Sequence, residues 1–151
     1  AWAHCDIPCG IYDPHRALMA AHTVIRMNQL IQQLPKPAPE MQPAQRLELM
    51  HNLARFTHAK EEHAEIVKHE VRILWGDFFK PEQAPQGLHD LVWKIMKLGS
   101  QAKVEANLAA AEQLLDAVNQ LAEHFWAAKK VTTQRVTAPY PTEKETVYPK
   151  F

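Results

Sequence analysis

The chain has 151 residues, of which 17 are Lys or Arg and 17 are Asp or Glu, so its formal charge is zero. That length suits one domain with its own hydrophobic core. Charge balance removes the basic excess that a nucleic-acid binder or a polybasic membrane anchor uses, and no apolar run approaches the ~20 residues that span a bilayer. With 4 Gly and no GxGxxG or GxxxxGK[ST] pattern, the Gly-rich folds that cradle phosphates are poor candidates.

The 11 prolines punctuate the chain at Pro8 and Pro14, between Pro35 and Pro43, at Pro81 and Pro85, and between Pro139 and Pro149. The intervals are proline-free, as helices require. A first helix is predicted from about Pro14 to Leu34, started by Asp13-Pro14, with Ala17, Ala21, Val24, Met27, Ile31 and Leu34 as its apolar stripe. Pro35-Lys36-Pro37-Ala38-Pro39 reads as a stiff extended connector. A second helix is predicted from about Pro43 to Phe79, burying Leu47, Met50, Leu53, Ala54, Ala64, Val67, Val71 and Leu74, with Gly76 a weak point near its end. The third covers about Gly87 to Leu98, on Leu88, Leu91, Val92, Ile95 and Leu98. Gly99-Ser100 is the turn signal before a fourth helix, from about Gln101 to Lys130, with Leu108, Leu114, Leu115, Val118, Leu121 and Phe125 inward. No stretch alternates at period two long enough to predict a strand. The pattern is all-α: an antiparallel four-helix bundle over residues 14–130. Residues 131–151 read as an extended tail that packs on the bundle or on a neighbour.

Chemistry concentrates at the start. Residues 4–13 read His-Cys-Asp-Ile-Pro-Cys-Gly-Ile-Tyr-Asp, and they hold both cysteines of the chain. If His4 were the first residue, its amine and the Cys5 amide nitrogen would close one five-membered chelate. That amide and the Cys5 thiolate would close another. The Cys9 thiolate can complete a plane if the chain turns, and Pro8 and Gly10 flank it with turn chemistry. The His4 imidazole can reach an axial position. Planar nitrogen and sulfur donors suit Ni(II) or Cu(II) rather than tetrahedral zinc. Thiolates and a deprotonated amide stabilise an oxidised metal, which permits the one-electron cycle that disproportionation of a small radical needs. Three other readings stay open: a local Cys5–Cys9 disulfide, half of a zinc site, and an ordinary surface His4.

The stretch resembles the hook of the nickel superoxide dismutases, matching His-Cys-x-x-Pro-Cys-Gly-x-Tyr at every defined position. Residues 60–65 (Lys-Glu-Glu-His-Ala-Glu), residues 74–81 (Leu-Trp-Gly-Asp-Phe-Phe-Lys-Pro), Phe125-Trp126 and Lys129-Lys130 are similar to further segments of that family. The resemblance covers about His4 to Lys130. It implies nickel held by the His4 amine and imidazole, the Cys5 amide nitrogen and thiolate, and the Cys9 thiolate. It also implies superoxide as substrate, Tyr12 beside the metal ordering water or substrate, and a homohexamer. An Arg and a Tyr that support the hook in the better-known form appear here as His63 and Phe78, and a first-helix Glu as Ala20; His63 and His22 resemble a second branch. Lys80, at the end of the second helix, is the candidate positive charge for an anionic substrate, or else a lysine near a helix C-terminus.

Other constellations carry less. His58, Glu62, Glu65 and His69 share one helix face, which suits a solvated surface better than a metal site. Glu48-Leu49-Met50-His51 is one ExxH without the second that a di-iron bundle needs. Trp75, Trp93 and Trp126 read as core or interface. The alternative function is a non-catalytic bundle whose hook binds nickel or closes as a disulfide. Ala1-Trp2-Ala3 precedes His4, so the free amine requires their removal. The small-x-small form fits a signal peptidase and export, and a cytoplasmic maturation protease would serve as well.

Overall fold

The computed structural model describes residues 10–151. His4, Cys5 and Cys9, and the leader expected at residues 1–3, lie outside the described residues. Helix α1 is His15–Gln33, α2 is Pro43–Ile73 followed by a π-helical turn Leu74–Phe78, α3 is Leu88–Val104 and α4 is Leu108–Ala128. Strands β1 (Thr133–Thr137) and β2 (Glu145–Pro149) follow. Helix α1 packs on α2 and α4, and α3 packs on the same two, so the four form the expected bundle. Its centre is Ala21, Val24 and Ile25 from α1, Ala64, Val67 and Val71 from α2, Ile95 from α3, and Leu114, Val118, Leu121 and Phe125 from α4, all fully buried. Among the described residues, no helix is long and apolar enough to cross a membrane.

Local chemistry explains the boundaries. Asp13 Oδ1 accepts the His15 N–H at 2.7 Å, and Pro14 opens α1, its carbonyl taking the Leu18 N–H at 3.1 Å. Gln42 and Gln45 exchange side-chain and backbone hydrogen bonds at the start of α2, with Pro43 at its first position. Asn107 caps α4, its side-chain oxygen accepting the Ala110 N–H at 3.0 Å.

Several expectations need correction. Gly99-Ser100 is not a turn: α3 continues to Val104 and α4 begins at Leu108, not Gln101. Gly99 instead serves helix contact. A Cβ there would stand 3.0 Å from Lys68 Cγ of α2, so the missing side chain lets the two helices approach. The real turn is Glu105–Asn107, where the buried Lys60 donates from Nζ to the Glu105 carbonyl at 2.7 Å. The inward face predicted for α2 holds for Ala64, Val67, Val71 and Leu74 and fails for the first half. Leu47, Met50 and Leu53 are 69%, 67% and 43% exposed, and Ala54 is exposed too. Helix α2 is far longer than α3, and the loop that ends α3 meets it at Lys60, so the residues before that point lack the cover of the α3–α4 layer. Of the tryptophans, Trp126 is buried, whereas Trp75 and Trp93 are exposed.

The tail contains the strands that were not predicted. Residues 133–137 and 145–149 pair antiparallel, Thr133 opposite Pro149 and Thr137 opposite Glu145. Thr, Val and Tyr favour the pleat, and the turn between the strands carries Pro139, Pro141 and a left-handed Glu143 at φ 53°. Each strand has only five residues, too few for alternation to register. The hairpin lies on α4 and α1.

Candidate metal centre and its surroundings

Of the hook expected at residues 4–13, the structure describes residues 10–13, its root. Gly10 has φ +85°, a left-handed conformation that glycine adopts without strain, and Ile11 is exposed. Tyr12 turns inward. Its ring lies 5.8 Å from that of Phe78, and its hydroxyl is shielded from solvent. Phe78 in turn packs on Phe125 at 4.4 Å and Phe79 at 5.0 Å, and Phe125 on Trp126 at 5.0 Å. The root therefore stands on an aromatic shelf built from the π-helical turn and the last turn of α4. The turn matters locally. Its widened hydrogen bond, Phe79 N–H to the Leu74 carbonyl at 3.1 Å, sets Phe78 against Tyr12 and Phe125 while Phe79 enters the core.

Of the remaining predicted residues, Lys80 lies two positions after Phe78, exposed, its ammonium 3.2 Å from the Asp77 carbonyl that it donates to. The structure thus brings Tyr12 and the Lys80 turn to one end of the bundle. A second cation was missed. Lys129, at the end of α4, holds Nζ 5.1 Å from the Phe125 ring centre and 5.8 Å from that of Phe78. Phe125 and Lys129 are four residues apart on a helix, and that spacing was the available signal.

Of the positions that differ from the better-known form, Phe78 is in the aromatic shelf, and Ala20 and His63, with His22 of the second-branch pair, have distinct surroundings. Ala20 is buried. His63 is half-buried and donates from Nδ1 to the Ala59 carbonyl at 2.8 Å, leaving Nε2 as its acceptor when neutral. His22 is turned to the hairpin. Its Nδ1 is 2.7 Å from Thr142 Oγ1 and its Nε2 2.5 Å from Thr146 Oγ1, with the Tyr140 ring edge-on at 5.0 Å. Burial lowers its pKa to about 4. On the outer face of α2, Glu65 meets Arg72 at 3.3 Å and Lys103 at 3.4 Å. Among the described residues no three His, Cys, Asp or Glu side chains are grouped to hold a metal. Glu48 and His51 are exposed.

The family model of the nickel-containing superoxide dismutases matches residues 1–129. The chain belongs to that family. The nickel superoxide dismutase of Streptomyces coelicolor is 39% identical over 131 residues, covering 85% of this chain and 89% of that protein. That of Streptomyces seoulensis is 37% identical over the same length. A solved nickel superoxide dismutase with ligation corresponding to the oxidised state superposes with a TM-score of 0.71 at 33% identity, covering 84% of this chain and 99% of the other. A native structure of the enzyme gives 0.69 at 34% identity. The activity is superoxide dismutation and the cofactor is nickel. The non-catalytic alternative is not favoured. The donor chemistry fits: two thiolates and nitrogen donors in one short segment suit a redox-active nickel, and the bundle offers no competing set among its described residues.

Proposed function

We propose that residues 4–13 are the nickel hook of this superoxide dismutase, with His4, Cys5 and Cys9 as ligands. Residues 14–130 are its scaffold, and residues 1–3 are removed by a protease acting before His4. The observation that carries this reading is the joining of the His-Cys-x-x-Pro-Cys-Gly-x-Tyr segment to a root whose Tyr12 is seated on Phe78. Bound nickel supplies the one-electron acceptor and donor. The chain supplies the rest. Overall, one superoxide loses an electron and becomes oxygen, while another gains it with two protons and becomes hydrogen peroxide. Tyr12 holds water beside the site for those protons. The shelf of Phe78 and Phe125 keeps bulk water from the floor of the site. Lys80 and Lys129 put positive charge where a small anion arrives.

The working unit is proposed to be a homohexamer. The exposed apolar residues Leu47, Met50 and Leu53 on the uncovered half of α2 are a surface that such an assembly would bury.

Two preparations test the reading: a chain beginning at His4 and one with Ala1 fixed as the first residue. The first is expected to bind one nickel per chain and consume superoxide; the second is expected to be folded and nearly inactive. Equal activity in both would remove the His4 amine from the ligand set. In the chain beginning at His4, Cys5→Ser or Cys9→Ser is expected to abolish dismutation and leave the helical circular dichroism intact. Substantial activity in either variant would overturn the nickel assignment.

A further inference from the structure

The β1–β2 hairpin lies wholly beyond residue 129, the last that the family model matches. It is nonetheless built into the bundle. Asn119 of α4 reads the outer edge of β2 as another strand would: its Nδ2 donates to the Glu145 carbonyl at 3.0 Å, and its Oδ1 accepts the Val147 N–H at 2.9 Å. Asn119 is buried, and Val147 joins the core. Arg135 of β1 grips Glu123 through Nε at 2.7 Å and Nη2 at 3.1 Å, and Asp116 through Nη1 at 2.8 Å. Lys144 pairs with Glu112 at 2.8 Å. The contacts to α1 are equally specific. One ring nitrogen of the buried His22 donates to a threonine hydroxyl and the other accepts from one, the two partners being Thr142 and Thr146.

The far end of the hairpin reaches the start of α1 and the aromatic shelf. Tyr148 lies 6.3 Å, ring to ring, from His15, the first residue of α1. Phe151 lies 5.8 Å from Trp126, a member of the shelf that carries Tyr12. On its other side the first turn of α1 is tied to α2 by Arg16–Glu70 at 2.9 Å.

We propose that this hairpin is an intrachain strap that fixes the root of the nickel hook, by clamping the start of α1 against α4. The inference rests on the reading of residues 4–13 as that hook. Its physical basis is ordering. A chelate closed by a short segment is tighter when the segment leaves the scaffold at one place, because less chain freedom is lost on binding. The strap does this from a distance, since its polar anchors (His22, Asn119, Arg135) are at least ten residues along the chain from Tyr12.

The test uses the full chain beginning at His4. The variant Asn119→Leu/Thr146→Val unpairs β2 from α4 and α1 without touching the proposed site. Hydrogen exchange is read at Val147 for the strap and at His15 and Leu18 for the root, with release of nickel to a chelator in parallel. Exchange at strap and root is expected to rise together by about tenfold, and nickel release by about fivefold, with α3 exchange unchanged. Fast exchange at Val147 with His15, Leu18 and nickel release at their original rates would overturn the proposal. Should that variant fail to fold, Arg135→Gln removes only the half-exposed contacts to Glu123 and Asp116 and is read the same way. If the unsubstituted chain takes up no nickel, the hook reading fails, and exchange at His15 and Leu18 decides the strap on its own.

Discussion

Tyr12 and Lys129, at the two ends of the helical scaffold's sequence, meet at the same phenyl ring, the tyrosine ring and the ammonium each 5.8 Å from Phe78. Tyr12 was readable from the motif. Lys129 was not, because a lysine at a helix end is ordinary until the fold sets aromatic rings beneath it. Its charge differs from that of Lys80, which is tied to the Asp77 carbonyl on its own turn. We expect Lys129→Gln and Lys80→Glu each to lower the second-order rate with superoxide by about two- to fivefold at low ionic strength, with nickel content unchanged. Above about 0.5 M salt the differences should vanish, because screening shortens the reach of the charge. Rates measured by pulse radiolysis across ionic strengths check this. A rate at low salt equal to that of the parent would remove the lysine concerned from substrate delivery.

At the scale of elements, the helices were legible where a stripe and a cap agreed. The stretch from about Pro14 to Leu34 combined both and forms a helix over His15–Gln33, with Ala17, Ala21 and Val24 of its stripe buried and Met27, Ile31 and Leu34 only partly so. The α3–α4 junction was misread because glycine has two meanings. In sequence Gly99 reads as a stop, whereas in the fold it removes a side chain that would crowd Lys68 across the helix contact. The true stop at Glu105–Asn107 depends on Lys60, 45 residues away, satisfying a carbonyl that local sequence leaves open. Two substitutions test this junction by thermal unfolding. Asn107→Ala should cost about 1 kcal/mol, the value of a helix cap. Lys60→Met should cost about 1.5–3 kcal/mol, the value of a buried hydrogen bond from a charged donor. Nickel and the dismutase activity were legible from the donor chemistry of the first residues, since that chemistry lies close together in the sequence. The hairpin was not, because its partners (His22, Asn119, Glu123) lie in other elements.

For the molecule as a whole, two dependences follow. The first concerns acidity. His22 falls from its ordinary 6.5 to about 4 in the folded chain, so the unfolded state binds the extra proton first. The stabilisation is complete above pH 6.5 and is lost as pH falls towards 4, about 3 kcal/mol in all. The groups around the ring give no relief: Tyr140 and Arg26 line the same pocket, and neither is an anion to accept the new charge. Asp116, held below its usual range first by the hydrogen bond from Arg135, contributes to a separate loss at lower pH. Stability measured between pH 7 and 4.5 should decline in the parent and stay flatter in His22→Gln. The second concerns assembly. Met50→Glu/Leu53→Glu should reduce the native mass by light scattering while leaving the monomer helical, and an unchanged mass would exclude this part of α2 from the interface.

The π-helical turn has a consequence for the phase of the chain. A regular helix advances about 100° per residue, so one residue accommodated in a wide turn rotates everything after it by that angle. In Leu74–Phe78 the added residue widens the last turn of the rod, which ends at the extended Phe79, and the angular offset it creates sets the direction of Phe78. Deleting Gly76, which has no neighbour within 4 Å of where its Cβ would be, should let the segment relax to ordinary α-helical winding at small cost in packing. Phe78 would then swing away from Tyr12. The scaffold would keep its helices, and the dismutase would lose the surface on which Tyr12 is seated.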